Sequence, residues 1–189
     1  PALDTTHIAG AYFVPGDGYV DPLQCAQAYA GAARDLGIEI ALDTQVTEIR
    51  VDQGQVIGVA TEIGLVAAEQ VLVAAGPWGA TLAAQAGFAP AAQPIRHQRV
   101  RTVPVPGIPD HHPVVRVPDV GCYLRPEKGG YLYGFFEPEP TSIEIDALPD
   151  DFTTAQLDPP VAVMAEAQKL LLPSFPILKD LEIAERIQG

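Results

Sequence analysis

The stretch "EQVLVAAGPWGATLAAQAG", Glu69 to Gly87, fixes how the rest of the chain is read. Val71 to Ala75 is a run of five apolar residues with no charge, the pattern of a strand buried on both faces. Ala-Ala-Gly ends it with three small residues, and Gly allows backbone to approach a neighbour or ligand closely. Pro77 then suits the start of a helix, and Trp78 to Ala86 reads as a short one. Working upstream, "QVTEIRVD", the turn Asp52-Gln53-Gly54, "QVIGVATE" and Gly64 before "LVAAEQ" predict a β-meander joined by Gly-containing turns. "IEIAL" (Ile38 to Leu42) predicts a further short buried strand.

Asp21 to Leu36 reads as a helix. Asp21 is a good N-cap, Pro22 fits the first helical position and Gly37 the C-terminal stop. Leu23, Ala26, Ala30, Ala33 and Leu36 form a small-residue stripe suited to packing on a sheet. Before it, strand-like Ala11 to Val14 leads into "VPGDGYVDP", a Gly16-x-Gly18 loop between strand and helix. That order, with Glu39 about twenty residues on, imitates a dinucleotide fingerprint. The third glycine position holds Asp21, whose carboxylate caps the amides an anion needs, and Pro22 removes another donor. The expectation is therefore a turn feeding a capped helix.

The middle of the chain differs. From Pro90 to Pro140, proline interrupts strand runs ("IRHQRVRTV", "PVVRV", "GCYLRPE", "GGYLYGFFE"), predicting an antiparallel sheet. The last fifty residues return to helix in "TTAQLDPPVAVMAEAQKLLLP" and Phe175 to Lys179, before the strand-like run "LEIAERIQ". The fold class expected is α+β: a mostly antiparallel or mixed sheet with flanking helices, plus a meander and strand of another regime. The division expected is 1–89 and 90–189, interleaved.

The totals narrow the function. The 189 residues are 48% hydrophobic and 19% charged, enough to bury a core. Eleven basic against 24 acidic residues give a net charge of −13, which disfavours nucleic acid and anionic membranes as partners. Two cysteines, Cys25 and Cys122, form no C-x-x-C pair, so no metal or redox motif is present. No run approaches the ~18 apolar residues of a membrane span, and a cytoplasmic setting is expected. The chain opens at "PALDTTHIAG" without Met and closes on "AERIQG", so an internal piece of a longer polypeptide is expected.

In order and spacing, these phrases resemble the FAD-dependent amine and amino-acid oxidoreductases, the D-amino acid oxidase and sarcosine oxidase superfamily. "VLVAAGPWG" is similar to the phrase that closes that family's FAD-binding sheet. "PIRHQRVRTVP" and "PVVRVPDVGCYLRPEKGGYLYGFFEPEP" look closest to the dimethylglycine and sarcosine dehydrogenase branch. The more specific part is Tyr-x-Arg-Pro-x-x-Gly-Gly followed by Gly-x-x-Glu-Pro. The resemblance implies FAD as cofactor, with Val46, Ala74, Ala75, Gly76 and Trp78 beside it. It implies oxidation of a C–N bond in a small amine or amino acid. In the full-length protein it also implies an electron-acceptor protein or a fused folate-binding domain as partner. The family's G-x-G-x-x-G unit is not among these residues, so the isolated piece is expected to bind FAD weakly or not at all and to be inactive. The alternative is a noncatalytic binding or interaction module that keeps the substrate-domain fold.

An N-methyl amino acid needs a cation for its carboxylate, aromatic faces around its amine, and a group that keeps the amine unprotonated. Tyr123 and Arg125 are two apart and share one strand face, as do Tyr131 and Tyr133 on the next run. If those strands pair, the tyrosines and Arg125 are expected to converge, with Arg125 as carboxylate clamp. His97 is the acid–base candidate. His111-His112 beside Asp110 is a weak metal pattern, and no metal site is expected.

Overall fold

The computed structural model describes residues 3–108, 111–149, 151–158 and 161–188. Its elements are α1 (Pro22–Asp35), β1 (Val46–Asp52), β2 (Gln55–Thr61), β3 (Gly64–Ala67), α2 (Gly79–Gln85), β4 (Ile95–Arg96), β5 (Gln98–Thr102), β6 (Val115–Val117), β7 (Cys122–Glu127), β8 (Gly130–Phe135), β9 (Thr141–Ser142), α3 (Val161–Leu171) and β10 (Ile183–Gln188). Helices and antiparallel sheets together give the α+β class expected. They form two compact units. One comprises residues 1–19, 95–142 and 149–189, the other 20–94 and 143–148.

The first unit is built on a five-stranded antiparallel sheet in the order β10-β5-β8-β7-β6. Strand β8 lies at its centre, and all six of its residues are buried. On one face, Val100, Leu124, Tyr131, Tyr133 and Phe135 pack with Met164, Ala167 and Leu171 of α3 and with Phe175 and Leu178. This is the core face. Burial of each such side chain contributes about 1.5–3 kcal/mol, so the aromatic alternation of "YLYGFF" anchors this unit. Thr102, itself buried, accepts the Tyr131 amide at 2.9 Å, and Gln168 donates to the Leu178 carbonyl at 2.7 Å. Pro126 is tolerated because it sits where β7 runs beyond the end of β6. Phe175 to Lys179 forms a 3₁₀ turn, Pro176–Asp180, and "LEIAERIQ" supplies β10.

The second unit holds the meander β1-β2-β3, as its turns predict. Helix α1 starts as expected: the Asp21 carboxylate accepts the Gln24 amide at 2.9 Å, and Gly37 follows with φ +80°. Among the described residues of this unit, Ile49 is the one buried large hydrophobic. No residue of α1 is buried, so the Leu23–Leu36 stripe does not pack as expected; only Ala30 and Ala33 reach partial burial.

Three expected strands are corrected. Ala11–Val14, Ile38–Leu42 and Val71–Ala75 have no strand structure. A strand exists through the ladder bonds of a neighbour, and none of the three has one among the described residues. The short helix after Pro77 is a 3₁₀ turn, Gly76–Trp78, continued by α2. The Gly-x-Gly loop is a turn: the Asp17 amide bonds the Val14 carbonyl at 3.1 Å, and the Gly18 amide bonds the Asp17 side chain at 2.9 Å. Neither Gly16 nor Gly18 has positive φ, and nothing lies within 4 Å of a Cβ added at either.

No helix among the described residues is long and apolar enough to cross a membrane. Both cysteines are free thiols; burial pushes the Cys122 thiol up to about 11.

Two predictions follow from backbone geometry. Asp21→Ala removes the cap of α1 and should cost about 1 kcal/mol locally, read as faster hydrogen exchange in its first turn; Gly18→Ala should leave that exchange unchanged. Gly58 has φ +145°, and a Cβ there would overlap the Val66 carbonyl on β3. Gly58→Ala should therefore destabilise the meander by about 1–3 kcal/mol, measured as a lower midpoint in urea.

Candidate functional site

Cross-strand register decides which side chains share a face. Tyr123 stands opposite Gly134, and Gly134 opposite Arg99; on the outer side Tyr123 stands opposite Arg116. Residues paired directly across antiparallel strands point the same way. The row Arg116–Tyr123–Gly134–Arg99 therefore lies on the face opposite the core. The next row holds Arg125, Leu132, Arg101 and Glu185. Four of the chain's eleven basic residues thus lie on one sheet face.

Gly134 makes this arrangement sterically feasible. A Cβ at that position would overlap the ring carbon Cζ and the hydroxyl of Tyr123, so the tyrosine lies across β8 where a side chain is missing. Burial pushes the Tyr123 hydroxyl pKa up, while the charges of Arg99, Arg125 and Arg116 pull it the other way. Phe136 continues the aromatic surface: its ring centroid is 5.4 Å from that of Tyr123 and 5.0 Å from that of His97, the latter edge to face. The Arg116 guanidinium sits over Phe136 at 5.4 Å.

His97 Nδ1 lies 3.0 Å from the Glu137 carboxylate, whose other oxygen accepts from Gln98. If Nδ1 carries the proton, Nε2 is left as an acceptor. Arg125 is ion-paired with Glu127, and its guanidinium stacks 4.1 Å from the Tyr19 ring centroid. Arg101 is ion-paired with Glu185 at 2.8 Å. No acidic partner of Arg99 or Arg116 occurs among the described residues.

The expected convergence of Tyr131 and Tyr133 with Arg125 is corrected. In the β7–β8 register Tyr133 pairs with Leu124 and Tyr131 with Pro126. Both tyrosines therefore belong to the core face, and burial pushes the Tyr133 hydroxyl up to about 12. His112 Nδ1 donates to the Pro113 carbonyl (2.8 Å), and its ring packs edge-on to Tyr131. Asp110, the third member of that metal pattern, lies outside the described residues. Sequence reading missed Arg99, Arg116, Phe136 and Glu137. The alternation Gln98-Arg99-Val100-Arg101 and a lone glycine inside "YLYGFF" were the available signals.

In the other unit, Val46, Ala74, Ala75 and Trp78 line one cavity of about 750 Å³, together with Val59 and Val71. Its wall is mainly apolar. Gly76, with φ +53°, starts the 3₁₀ turn beside Ala75 and is not part of the lining.

A family model, DAO, described as FAD-dependent oxidoreductase, matches residues 1–189. The chain is 32% identical over 151 residues to 4-methylaminobutanoate oxidase (formaldehyde-forming) of Paenarthrobacter nicotinovorans, covering 80% of this chain and 18% of that protein. It is 26% identical to the mitochondrial dimethylglycine dehydrogenase of Rattus norvegicus, covering all of this chain and 23% of that one. The chain thus spans less than a quarter of the length of these two curated relatives. Among solved structures, L-proline dehydrogenase from P. horikoshii superposes with a TM-score of 0.74 at 26% identity, over 93% of this chain and 44% of that one. With the family model spanning every residue, and relatives of the expected dehydrogenase branch matching along the whole chain, this chain belongs to the DAO family of FAD-dependent oxidoreductases.

Proposed function

We propose that the chain supplies the substrate-facing sheet, and part of the cofactor wall, of an enzyme that oxidises a C–N bond in an N-methyl or other amino acid. The observation that carries this reading is the row on which Tyr123 lies over Gly134 between Arg116 and Arg99. The names of the relatives support it: methylaminobutanoate, dimethylglycine and L-proline each join an amine to a carboxylate.

Arg99 takes the substrate carboxylate, because its fork is not neutralised by an acidic side chain among the described residues; Arg125, the residue favoured from sequence, already has Glu127. Tyr123 and Phe136 form the wall for the amine and its methyl groups. His97, held at Nδ1 by Glu137, accepts the ammonium proton at Nε2 and so delivers the neutral amine. Val46, Ala74, Ala75 and Trp78 would hold part of the FAD, and the mainly apolar cavity they line supports this. FAD held there would supply a two-electron oxidant, taking hydride from the carbon next to nitrogen and leaving an iminium for water to hydrolyse.

Two measurements test this. Anaerobic addition of N-methyl amino acids to the flavin-loaded full-length protein should bleach the flavin absorbance. Failure of every amine and amino acid tried would favour the noncatalytic module instead. In the same protein, Arg99→Gln should raise KM for an N-methyl amino acid by about tenfold to a hundredfold, the value of a charged hydrogen bond. An unchanged KM would remove Arg99 from carboxylate binding.

A further inference from the structure

Two of the four arginines on this face differ from the others. Arg101 and Arg125 are ion-paired with Glu185 and Glu127. Arg99 and Arg116 have no acidic partner among the described residues, in a chain with 24 carboxylates and eleven basic residues. Arg116 is instead positioned by the Phe136 ring, a cation–π contact that holds a guanidinium without neutralising it.

The two sit at opposite ends of one row, Arg116 on β6 and Arg99 on β5, with Tyr123 and Gly134 between. Three strand spacings of about 4.8 Å put their backbones roughly 14 Å apart. Arg99 stands directly beside Gly134, over which the Tyr123 ring lies, and Arg116 rests on Phe136, whose ring packs against Tyr123, so the two cations flank one aromatic surface. Two unneutralised guanidinium groups flanking an aromatic surface complement a ligand that carries two anions.

Building on the reading above, we propose that the substrate is an amino dicarboxylate. Arg99 binds one carboxylate, Arg116 binds the other, and the amine lies between them on the Tyr123–Phe136 surface. A monocarboxylic amine would leave one guanidinium unpaired when water is displaced, so the second carboxylate acts as a specificity element.

The test compares N-methylglutamate with N-methylalanine as reductants of the flavin-loaded full-length protein. The expected kcat/KM is at least tenfold higher for the dicarboxylate. Arg116→Gln should bring that ratio close to one, and Arg116→Lys should restore part of it. Calorimetric titration with glutarate and with butyrate gives a readout independent of turnover. Glutarate should bind at least tenfold more tightly, and Arg116→Gln should abolish the difference. Equal reduction by both amino acids, with equal binding of both acids, overturns the dicarboxylate proposal and leaves the oxidoreductase reading intact. If no amine reduces the flavin but glutarate binding depends on Arg116, the dianion site stands and the oxidoreductase reading fails. If Arg116→Gln shifts the flavin potential and leaves the ratio unchanged, the charge serves the cofactor and the proposal is overturned.

Discussion

The site depends on one steric fact: a tyrosine ring lies where residue 134 has no side chain. Any Cβ there would displace Tyr123 and, with it, the point on which Arg99, Arg116 and Arg125 act. Phe136, two residues beyond Gly134, packs on the same tyrosine and carries Arg116 on its ring. His97 closes the line by meeting Phe136 edge to face. A single glycine inside a buried central strand thus sets the placement of an aromatic wall, a pair of cations and an imidazole. Glycine in a strand interior weakens the strand, and here five buried neighbours along β8 offset that loss.

The same register that builds the arginine face fills the other face with the core. Strand β8 sends Tyr131, Tyr133 and Phe135 towards α3, and Leu132 and Gly134 the opposite way. With strands on both sides and side chains covered on both faces, β8 is the most constrained element of its unit. The functional rows are therefore fixed by elements whose main work is folding. The His97–Glu137 pair stands just outside the ladder, at the start of β5 and the end of β8.

What could be read from sequence divides along the range of the forces involved. The α1 cap, the meander turns and the turn character of the Gly-x-Gly loop depend on residues within a few positions of each other. Their chemistry is local, and the sequence displays it. Ile38–Leu42 and Val71–Ala75 have the composition of buried strands, yet strand identity rests on a partner distant in sequence. The convergence of Tyr133 with Arg125 failed for a related reason. Period-two alternation states which residues of one strand share a face, and only the pairing register states which faces coincide. Arg99, Arg116 and Phe136 were overlooked on that account, although Gly134 marked the place. By contrast, Val46 lies far in sequence from Ala74, Ala75 and Trp78 yet lines the same cavity, and only family resemblance had grouped it with them.

The two-faced sheet also bears on how this chain can change. The packed aromatic and aliphatic cluster of the first unit sits on the core side, whereas Arg99 and Arg116 are exposed on the other. A substitution at either arginine leaves the packed core intact. Ligand preference can therefore drift through these two positions while the fold stays above its stability threshold. Gly134 has no such latitude, since the Tyr123 ring fills the space where its side chain would stand. The chain thus couples a rigid reference point to two adjustable charges, so the charge pattern of this face can change without the scaffold being rebuilt.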